Sequence, residues 1–205
     1  MDSVGYREPE APAAPAMTSV KIVVGGGFGA GKTTFVGSVS EITPLTTEAV
    51  MTEASAGIDD LRATPRKVTT TVAMDFGRVS LDSDLVLYLF GTPGQQRFWF
   101  MWDDLVRGAI GAVVLVDTRR LADSFAAVDF FEDRGLPFVL GLNCFDGVLH
   151  HPIAEVRAAI GLDHDVPIVP CDARDRESVK QTLITVVEHA MQRWLVPQQR
   201  QRQTV

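Results

Sequence analysis

Apolar residues along the chain form short continuous runs that alternate with segments of helical periodicity. Such runs are typical of strands that are buried on both faces of a sheet. The predicted strands are Val20–Gly25, Thr71–Leu81, Leu85–Phe90, Gly111–Asp117, Phe138–Asn143 and Ile168–Cys171. The predicted helices are Lys32–Val39, Arg97–Arg107, Leu121–Arg134, Ile153–Gly161 and Arg176–Leu195. The alternation predicts an α/β fold, with a six-stranded, mostly parallel sheet covered by helices on both faces.

Two parts of the pattern depart from this alternation. Only three residues, 82–84, separate the second and third predicted strands, which therefore form an antiparallel hairpin at one edge of the sheet. The interval 41–70 has no strong periodicity, and loops of this length are usually functional or disordered. The domain is expected to span residues 19–195, between a disordered tail at 1–18 and a flexible tail at 196–205.

The last predicted helix is clearly amphipathic, and its apolar face is expected to be buried in the core. The apolar residues at helical spacing are Val179, Leu183, Val186, Val187, Ala190 and Trp194.

Composition narrows the classes of protein. The chain has 205 residues and a net charge of −7, which argues against a general nucleic-acid binder. No apolar stretch is long enough to span a bilayer, and no signal or lipidation motif is present, so we expect a cytoplasmic protein that does not insert into membranes. Two widely separated cysteines, Cys144 and Cys171, fit a reducing compartment and are interpreted as inert thiols, with redox control as the alternative.

A phosphate-binding loop follows the first predicted strand. It fits the pattern G-x-x-x-x-G-K-[ST], and Thr34 comes next. The loop residues are Gly26, Gly27, Phe28, Gly29, Ala30, Gly31, Lys32 and Thr33. Backbone N–H groups of such a loop bind a polyphosphate, the Lys32 ammonium reaches the β- and γ-phosphates, and the Thr33 hydroxyl can ligate Mg²⁺. The loop predicts that the chain binds a nucleoside triphosphate.

The choice of base depends on the end of the fifth predicted strand. Asn143 and Asp146 have the spacing of the guanine-recognition motif N-K-x-D, with Cys144 in place of lysine. The Asp146 carboxylate can accept two hydrogen bonds from guanine, whereas Asn143 would bind the base edge and join neighbouring loops. One strand later, the backbone N–H of Ala173 is expected to meet the guanine O6 atom. These residues predict GTP and GDP as ligands.

The third predicted strand is followed by Gly94 and Gln95, which resemble the D-x-x-G-Q switch of Ras-like GTPases. There the glycine binds the γ-phosphate and the glutamine orients the attacking water. Gly91 replaces the aspartate of that pattern. Thr71 is assigned to Mg²⁺ and the γ-phosphate, with Thr70 as the register alternative. Asp75 either replaces the lost carboxylate or is a surface residue of the edge strand.

Two further features of the sequence concern the rate of nucleotide hydrolysis and the binding of protein partners. A phenyl ring at Phe28 should crowd the γ-phosphate or fold over the nucleotide, so hydrolysis is expected to be slow. Arg66 and Arg97 are candidates for an internal catalytic arginine or are solvated surface charges. Helical spacing turns part of the segment 98–102 inward, whereas Trp99 and Phe100 predict an exposed aromatic patch for protein docking, with complete burial as the alternative.

Together these motifs resemble the small Ras-like GTPases, and within them the bacterial polarity GTPases of the MglA type. The segments Gly25–Val39, Thr69–Gly77 and Leu87–Thr118 are most similar to the actinobacterial conservon GTPases, usually labelled ATP/GTP-binding proteins. That resemblance implies three partners, namely a roadblock/LC7 protein, a sensor-kinase-like membrane protein and a small companion of unknown fold. One of these partners is expected to recruit the chain to the membrane. It also implies a pentapeptide-repeat protein as a further partner.

The combined interpretation is a slow GTPase switch in which Gln95 and Lys32 are the catalytic residues and Thr33 and Thr71 bind Mg²⁺. A pseudo-GTPase that binds nucleotide or a partner without turnover is the alternative, favoured by Phe28 and by the aspartate missing at Gly91. A P-loop nucleotide kinase would need an arginine-bearing lid, and the segment after residue 153 does not resemble one.

Overall fold

The chain is described here from a computed structural model. It covers residues 17–43, 48–50, 69–71, 74–82 and 84–202, and within these ranges it leaves out the side chains of 48–50, 69–71, 96, 146 and 196–202. The strands are β1 (Thr18–Gly26), β2 (Glu48–Val50), β3 (Thr69–Thr71), β4 (Phe76–Ser80), β5 (Leu85–Gly91), β6 (Ala109–Val116), β7 (Phe138–Asn143) and β8 (Ile168–Cys171). The helices are α1 (Lys32–Val39), α2 (Trp102–Val106), α3 (Phe125–Asp133), α4 (Ile153–Ile160) and α5 (Arg176–Arg202).

Six strands form the central sheet in the order β4-β5-β1-β6-β7-β8. Five of them run parallel, and β4 pairs with β5 in the antiparallel direction, from Phe76 opposite Phe90 to Ser80 opposite Val86. The predicted α/β class, the mostly parallel sheet and the edge hairpin are confirmed. Parallel strands need long crossovers, which explains why helices separate most of them along the chain.

The predicted strand Thr71–Leu81 was wrong as one element. It is divided into β3 and β4, and β3 leaves the central sheet to pair with β2 in a separate antiparallel ribbon. The sequence pattern missed β2 because three residues are too short a stretch for periodicity to be detected.

Each face of the sheet carries its own hydrophobic core. On one face, α1 and α5 contribute residues such as Val36 and Leu183. On the other face, α2, α3 and α4 contribute Trp102, Phe131 and Val156. These faces explain the continuous apolar strands, since a strand that is covered on both sides has no polar face.

Several predicted helix limits change. The predicted helix Arg97–Arg107 is a 3₁₀ segment at Gln96–Met101 followed by α2, and the predicted helix Leu121–Arg134 begins as a 3₁₀ segment at Thr118–Ser124 before α3. Helix α5 continues past its predicted end at Leu195, so residues 196–202 of the predicted tail are helical. Trp194 was expected in the core but is 64% exposed.

Two further expectations concern the surroundings of the chain. Among the described residues, no helix is long and apolar enough to cross a bilayer. Cys144 and Cys171 are both buried and free, and burial raises the pKa of the Cys171 thiol, which disfavours the reactive thiolate.

Candidate functional site

A cavity of about 450 Å³ opens at the ends of β1 and β5, where the phosphate loop lies beside the loop that follows β5. The carboxyl ends of parallel strands are the usual location of ligand sites in open α/β sheets. Its lining combines residues of both loops with one residue that precedes β4: Phe28, Gly29, Gly31, Lys32, Thr33, Thr34, Asp75, Thr92, Pro93, Gly94, Gln95, Arg97 and Phe98. The phosphate loop and Gly94–Gln95, which the sequence assigns to nucleotide binding, thus line the same cavity.

The turn between β1 and α1 requires glycine at Gly31. Its φ of 104° lies in the left-handed region, and a Cβ there would be 2.5 Å from Asn143 Nδ2. The first N–H groups of α1 have no earlier helical carbonyls to bind, so the helix begins at the cavity with free donors and its positive dipole end. This geometry favours an anion.

Lys32 is the buried cation of the site. Its side chain is 8% exposed, and its ammonium donates to the carbonyl oxygens of Gly26 at 2.9 Å and Gly27 at 2.8 Å. Burial lowers its pKa to about 8, although the negative charge of Asp75 opposes this shift. An anionic ligand beside the ammonium would reduce the electrostatic cost of burying this charge.

Asp75 occupies the space that Gly91 leaves open. A Cβ at position 91 would lie 2.9 Å from Asp75 Oδ2, and that oxygen accepts a hydrogen bond of 2.9 Å from the Thr33 hydroxyl. Of the two interpretations of Asp75, the structure favours the one that places its carboxylate in the site, because the side chain points into the cavity and not outward from the hairpin.

Thr92 adds a further oxygen to this region. It is 2% exposed, it lines the cavity, and its hydroxyl has no hydrogen-bond partner within the described residues. A buried hydroxyl without a partner is costly, which indicates that a ligand or water would complete it. Hydroxyl and carboxylate oxygens from Thr33, Asp75 and Thr92 are the donors that Mg²⁺ prefers.

Asn143 joins three loops at the end of β7. Its amide nitrogen donates to the Ala30 carbonyl at 2.9 Å, and its amide oxygen accepts from the Ala173 backbone N–H at 3.2 Å. The side chain therefore connects the phosphate loop with the loop after β8. The Ala173 N–H, expected to meet guanine O6, is engaged by Asn143 in this arrangement.

Gln95 lies at the rim of the cavity. Its amide oxygen accepts a hydrogen bond of 3.0 Å from Arg97 Nε, and both side chains line the site. Gly94 lies against the phosphate loop, since a Cβ there would come within 2.9 Å of Lys32 Nζ. The loop after β5 and the phosphate loop are therefore in close contact at the cavity.

The aromatic segment is more buried than expected. Phe98 and Trp102 are in the core, and Trp102 Nε1 donates to the Pro93 carbonyl at 3.1 Å. Trp99 packs against the core and against the Trp102 ring, at 5.4 Å between centroids, so it is not a fully exposed docking residue. Phe100 is 43% exposed and Phe28 is 63% exposed.

Several predicted site residues lie outside the described part of the chain. The backbone of Thr71 is in β3 and that of Asp146 is in a short 3₁₀ turn, but neither side chain is described, and Arg66 lies in an undescribed range.

Two residues near the site were not predicted from the sequence. They are Thr92 and Arg120, and Arg120 contacts the phosphate loop. Thr92 sits inside the G-T-P-G-Q run and was available as a signal, whereas nothing in the neighbourhood of Arg120 pointed to the site.

A family model described as "Conserved hypothetical ATP binding protein" matches residues 24–193. An uncharacterized protein from Methanocaldococcus jannaschii is 28% identical over 129 residues, which are 62% of this chain and 71% of that protein. The matched range includes every described residue of the cavity.

Solved structures of similar shape are G domains. The G domain of the T. maritima FeoB iron transporter has a TM-score of 0.59 at 16% identity and covers 84% of this chain and 99% of its own. The Arl6 BBS3 small GTPase from Trypanosoma brucei, with the bound nucleotide analogue GppNp, has a TM-score of 0.58 at 18% identity. The match covers 85% of this chain and 99% of that GTPase. At these identities the likeness concerns the fold, which is that of a P-loop G domain.

Proposed function

We propose that this chain, which belongs to the family of conserved hypothetical ATP binding proteins, binds GTP in preference to ATP and hydrolyses it slowly as a switch. The family and the fold make it a nucleotide-binding G domain. The proposed reaction is GTP + H₂O giving GDP + phosphate. The choice of guanine rests on the sequence spacing of Asn143 and Asp146, and it is supported by the contacts of Asn143, which connects the phosphate loop to the loop after β8.

Triphosphate binding would rest on the phosphate loop. The Lys32 ammonium lies on carbonyl oxygens of this loop and is close enough to the cavity to neutralise β- and γ-phosphate oxygens. Gly94 packs against the phosphate loop, since a Cβ there would lie 2.9 Å from Lys32 Nζ, and its N–H would bind the γ-phosphate as the switch glycine does in Ras-like GTPases. Loss of that phosphate would release the loop after β5.

Mg²⁺ would be held by the Thr33 hydroxyl and the Asp75 carboxylate, with Thr71 as the further ligand expected from the sequence. Within the described part of the chain, no three His, Cys, Asp or Glu side chains form a metal site of their own. The remaining ligands would therefore be phosphate oxygens and water, as is usual for Mg²⁺. The ion would neutralise phosphate charge. Asp75 also weakens the pseudo-GTPase alternative, which relied on the carboxylate missing at Gly91.

The slow rate would follow from Gln95. Its amide oxygen, the atom that would accept a hydrogen bond from the attacking water, accepts one from Arg97, and this bond holds the side chain in its orientation at the rim of the cavity. A protein partner that moved Arg97 would free this oxygen, so we infer that turnover is stimulated by a partner. The proposed partners are those of the conservon GTPases, which the sequence resembles. They are above all a roadblock/LC7 protein and a sensor-kinase-like membrane protein, with a pentapeptide-repeat protein as a further candidate.

Base selectivity tests the guanine assignment. Wild type is expected to bind GTP about 100-fold more tightly than ATP, because two hydrogen bonds to a carboxylate are involved. The variant Asp146→Asn should lose GTP affinity and gain affinity for xanthosine triphosphate. Calorimetry with the three nucleotides measures this, and Asp129→Asn, an exposed residue of α3, is the matched control. Equal affinity of wild type for ATP and GTP would reject guanine selectivity.

Single-turnover phosphate release tests the proposed turnover. The rate without partners should be on the order of ~10⁻⁴ s⁻¹ or lower, as for intrinsic hydrolysis in Ras. Gln95→Leu should reduce it further, and Arg97→Ala should raise it because the Gln95 oxygen is released. A lower rate for Arg97→Ala would instead identify Arg97 as an internal arginine that acts on the γ-phosphate. A wild-type rate that is indistinguishable from that of Lys32→Ala would favour the pseudo-GTPase.

A further inference from the structure

Arg120 reaches the phosphate loop from a different part of the chain. It lies in the 3₁₀ segment Thr118–Ser124 that follows β6. Its terminal nitrogen Nη2 donates to the Phe28 carbonyl at 2.9 Å, and the same nitrogen is 3.1 Å from the position that a Cβ on Gly29 would take. The guanidinium therefore lies directly against the peptide that joins these two loop residues.

The position of Arg120 is fixed by carboxylates on its own segment. Asp117 is buried and accepts hydrogen bonds from the Arg119 side chain, which hold the pKa of its carboxyl below the usual range. Arg120 Nε lies 3.7 Å from Asp117 Oδ2, and Arg120 Nη1 lies 3.5 Å from Asp123 Oδ2. Two carboxylates and the Phe28 carbonyl thus hold a side chain that is about half exposed.

The contact has a consequence for the opposite side of the peptide. No described peptide bond is cis, and in a trans peptide the C=O and the next N–H point in opposite directions. Because the Phe28 carbonyl is directed to Arg120, the Gly29 N–H is directed away from it. Gly29 lines the cavity, where an inward N–H would bind a phosphate oxygen and an inward carbonyl would repel it.

We propose that Arg120 is a positioning residue that holds the Phe28–Gly29 peptide with its N–H available to the phosphates. The inference rests on the proposed nucleotide binding, although not on the choice of base.

The experiment compares wild type with Arg120→Met, which keeps the length of the side chain but cannot donate, and with Arg120→Lys, which can. Calorimetry would measure the binding of GTP, GDP and ATP. Arg120→Met should weaken the binding of whichever nucleotide wild type binds by about tenfold, the value of one charge-assisted hydrogen bond, and Arg120→Lys should recover most of it. Arg134→Met, which removes an arginine paired with Asp103, is the matched control.

A second measurement reports on the peptide itself. The amide proton of Gly29, followed by NMR, should shift on nucleotide binding in wild type and Arg120→Lys but much less in Arg120→Met. Wild-type affinity or an unchanged Gly29 response in Arg120→Met would overturn the inference while leaving the proposed function intact. If Arg120→Lys is as weak as Arg120→Met, the hydrogen-bond role is overturned. If wild type binds none of the three nucleotides, both this inference and the proposed function are overturned.

Discussion

At the scale of single residues, a carboxylate that precedes one strand fills the space beside a glycine of the next. Gly91 provides no side chain at the end of β5, and Asp75, just before the neighbouring strand β4, fills the space with an oxygen bonded to Thr33. The exchange is possible because β4 and β5 are paired, so their ends lie side by side. A carboxylate just before β4 can therefore occupy the position that a side chain at residue 91 would take.

The position of Asp75 predicts how Mg²⁺ affects affinity. In wild type, Mg²⁺ should increase GTP affinity, whereas Asp75→Asn should lose about tenfold or more of that gain because an anionic ligand becomes neutral. Titrations of GTP with and without Mg²⁺ measure the difference. Asp84→Asn, on the same hairpin, is the control.

A transposed variant makes this test sharper. Gly91→Asp alone should be damaging, because its new Cβ would collide with Asp75. Combined with Asp75→Gly, it should restore the Mg²⁺-dependent gain. If Asp75→Asn keeps the full wild-type response to Mg²⁺, the carboxylate has no part in metal binding.

At the scale of elements, the segment Gln96–Met101 connects the cavity to the surface. Trp102 anchors its end by stacking in the core and by its bond to the Pro93 carbonyl, two residues before Gln95. Phe100 is the aromatic side chain of this segment that stays exposed. Phe98 and Trp102 both anchor this short stretch in the core, so the exposed Phe100 ring is the part of it that a protein partner can reach.

Partner docking is therefore predicted at Phe100 and not chiefly at Trp99. Phe100→Ala should weaken binding of a roadblock-type partner by about 30-fold, the effect of losing one aromatic anchor. Nucleotide affinity should hardly change. Trp194→Ala, which removes another exposed aromatic ring on α5, is the matched control. Calorimetry uses protein loaded with GDP or a non-hydrolysable GTP analogue. Equal partner affinity of wild type and Phe100→Ala in both states would reject this surface.

At the scale of the whole molecule, burial of the Lys32 charge in the site lowers the free energy of unfolding. Two apolar layers enclose the sheet, and the phosphate loop holds the Lys32 ammonium among carbonyl oxygens at the edge of this interior. Burial lowers the pKa of Lys32 from 10.5 to about 8, which means that the native state prefers the neutral amine more than the unfolded chain does. Free energy of unfolding must therefore depend on pH through this group.

The sign of that dependence is definite. Between about pH 8 and pH 10.5 the unfolded chain keeps the Lys32 proton that the native state has lost, so stability rises with pH in this window. Below about pH 8 the charge of Lys32 is present in both states, and the full free-energy cost of burying it opposes folding.

Lys32→Met should be more stable than wild type at pH 7 by an amount on the order of a few kcal/mol, and this difference should shrink towards pH 10. Urea unfolding of both proteins at several pH values measures it. A difference independent of pH would show that Lys32 titrates normally.

The local pattern of the sequence determined most of the fold. Continuous apolar runs predicted all six strands of the central sheet or part of them, because burial on both faces leaves a signal in each strand alone. The same local signal failed for β2, which is too short, and for Trp194, whose helix continues beyond the body that would cover it. The phosphate loop was also predictable, since its glycines, Lys32 and Thr33 are consecutive in the chain.

Only the tertiary structure decided which distant residues complete the site. The contacts of Asp75 with Thr33, of Asn143 with Ala30, and of Arg120 with Phe28 each join residues far apart in sequence. Asn143 followed from a motif, but the local sequence left Asp75 undecided and gave no reason to select Arg120. Which strand ends are neighbours depends on the order β4-β5-β1-β6-β7-β8, and that order is set by packing of the whole sheet and not by any one segment.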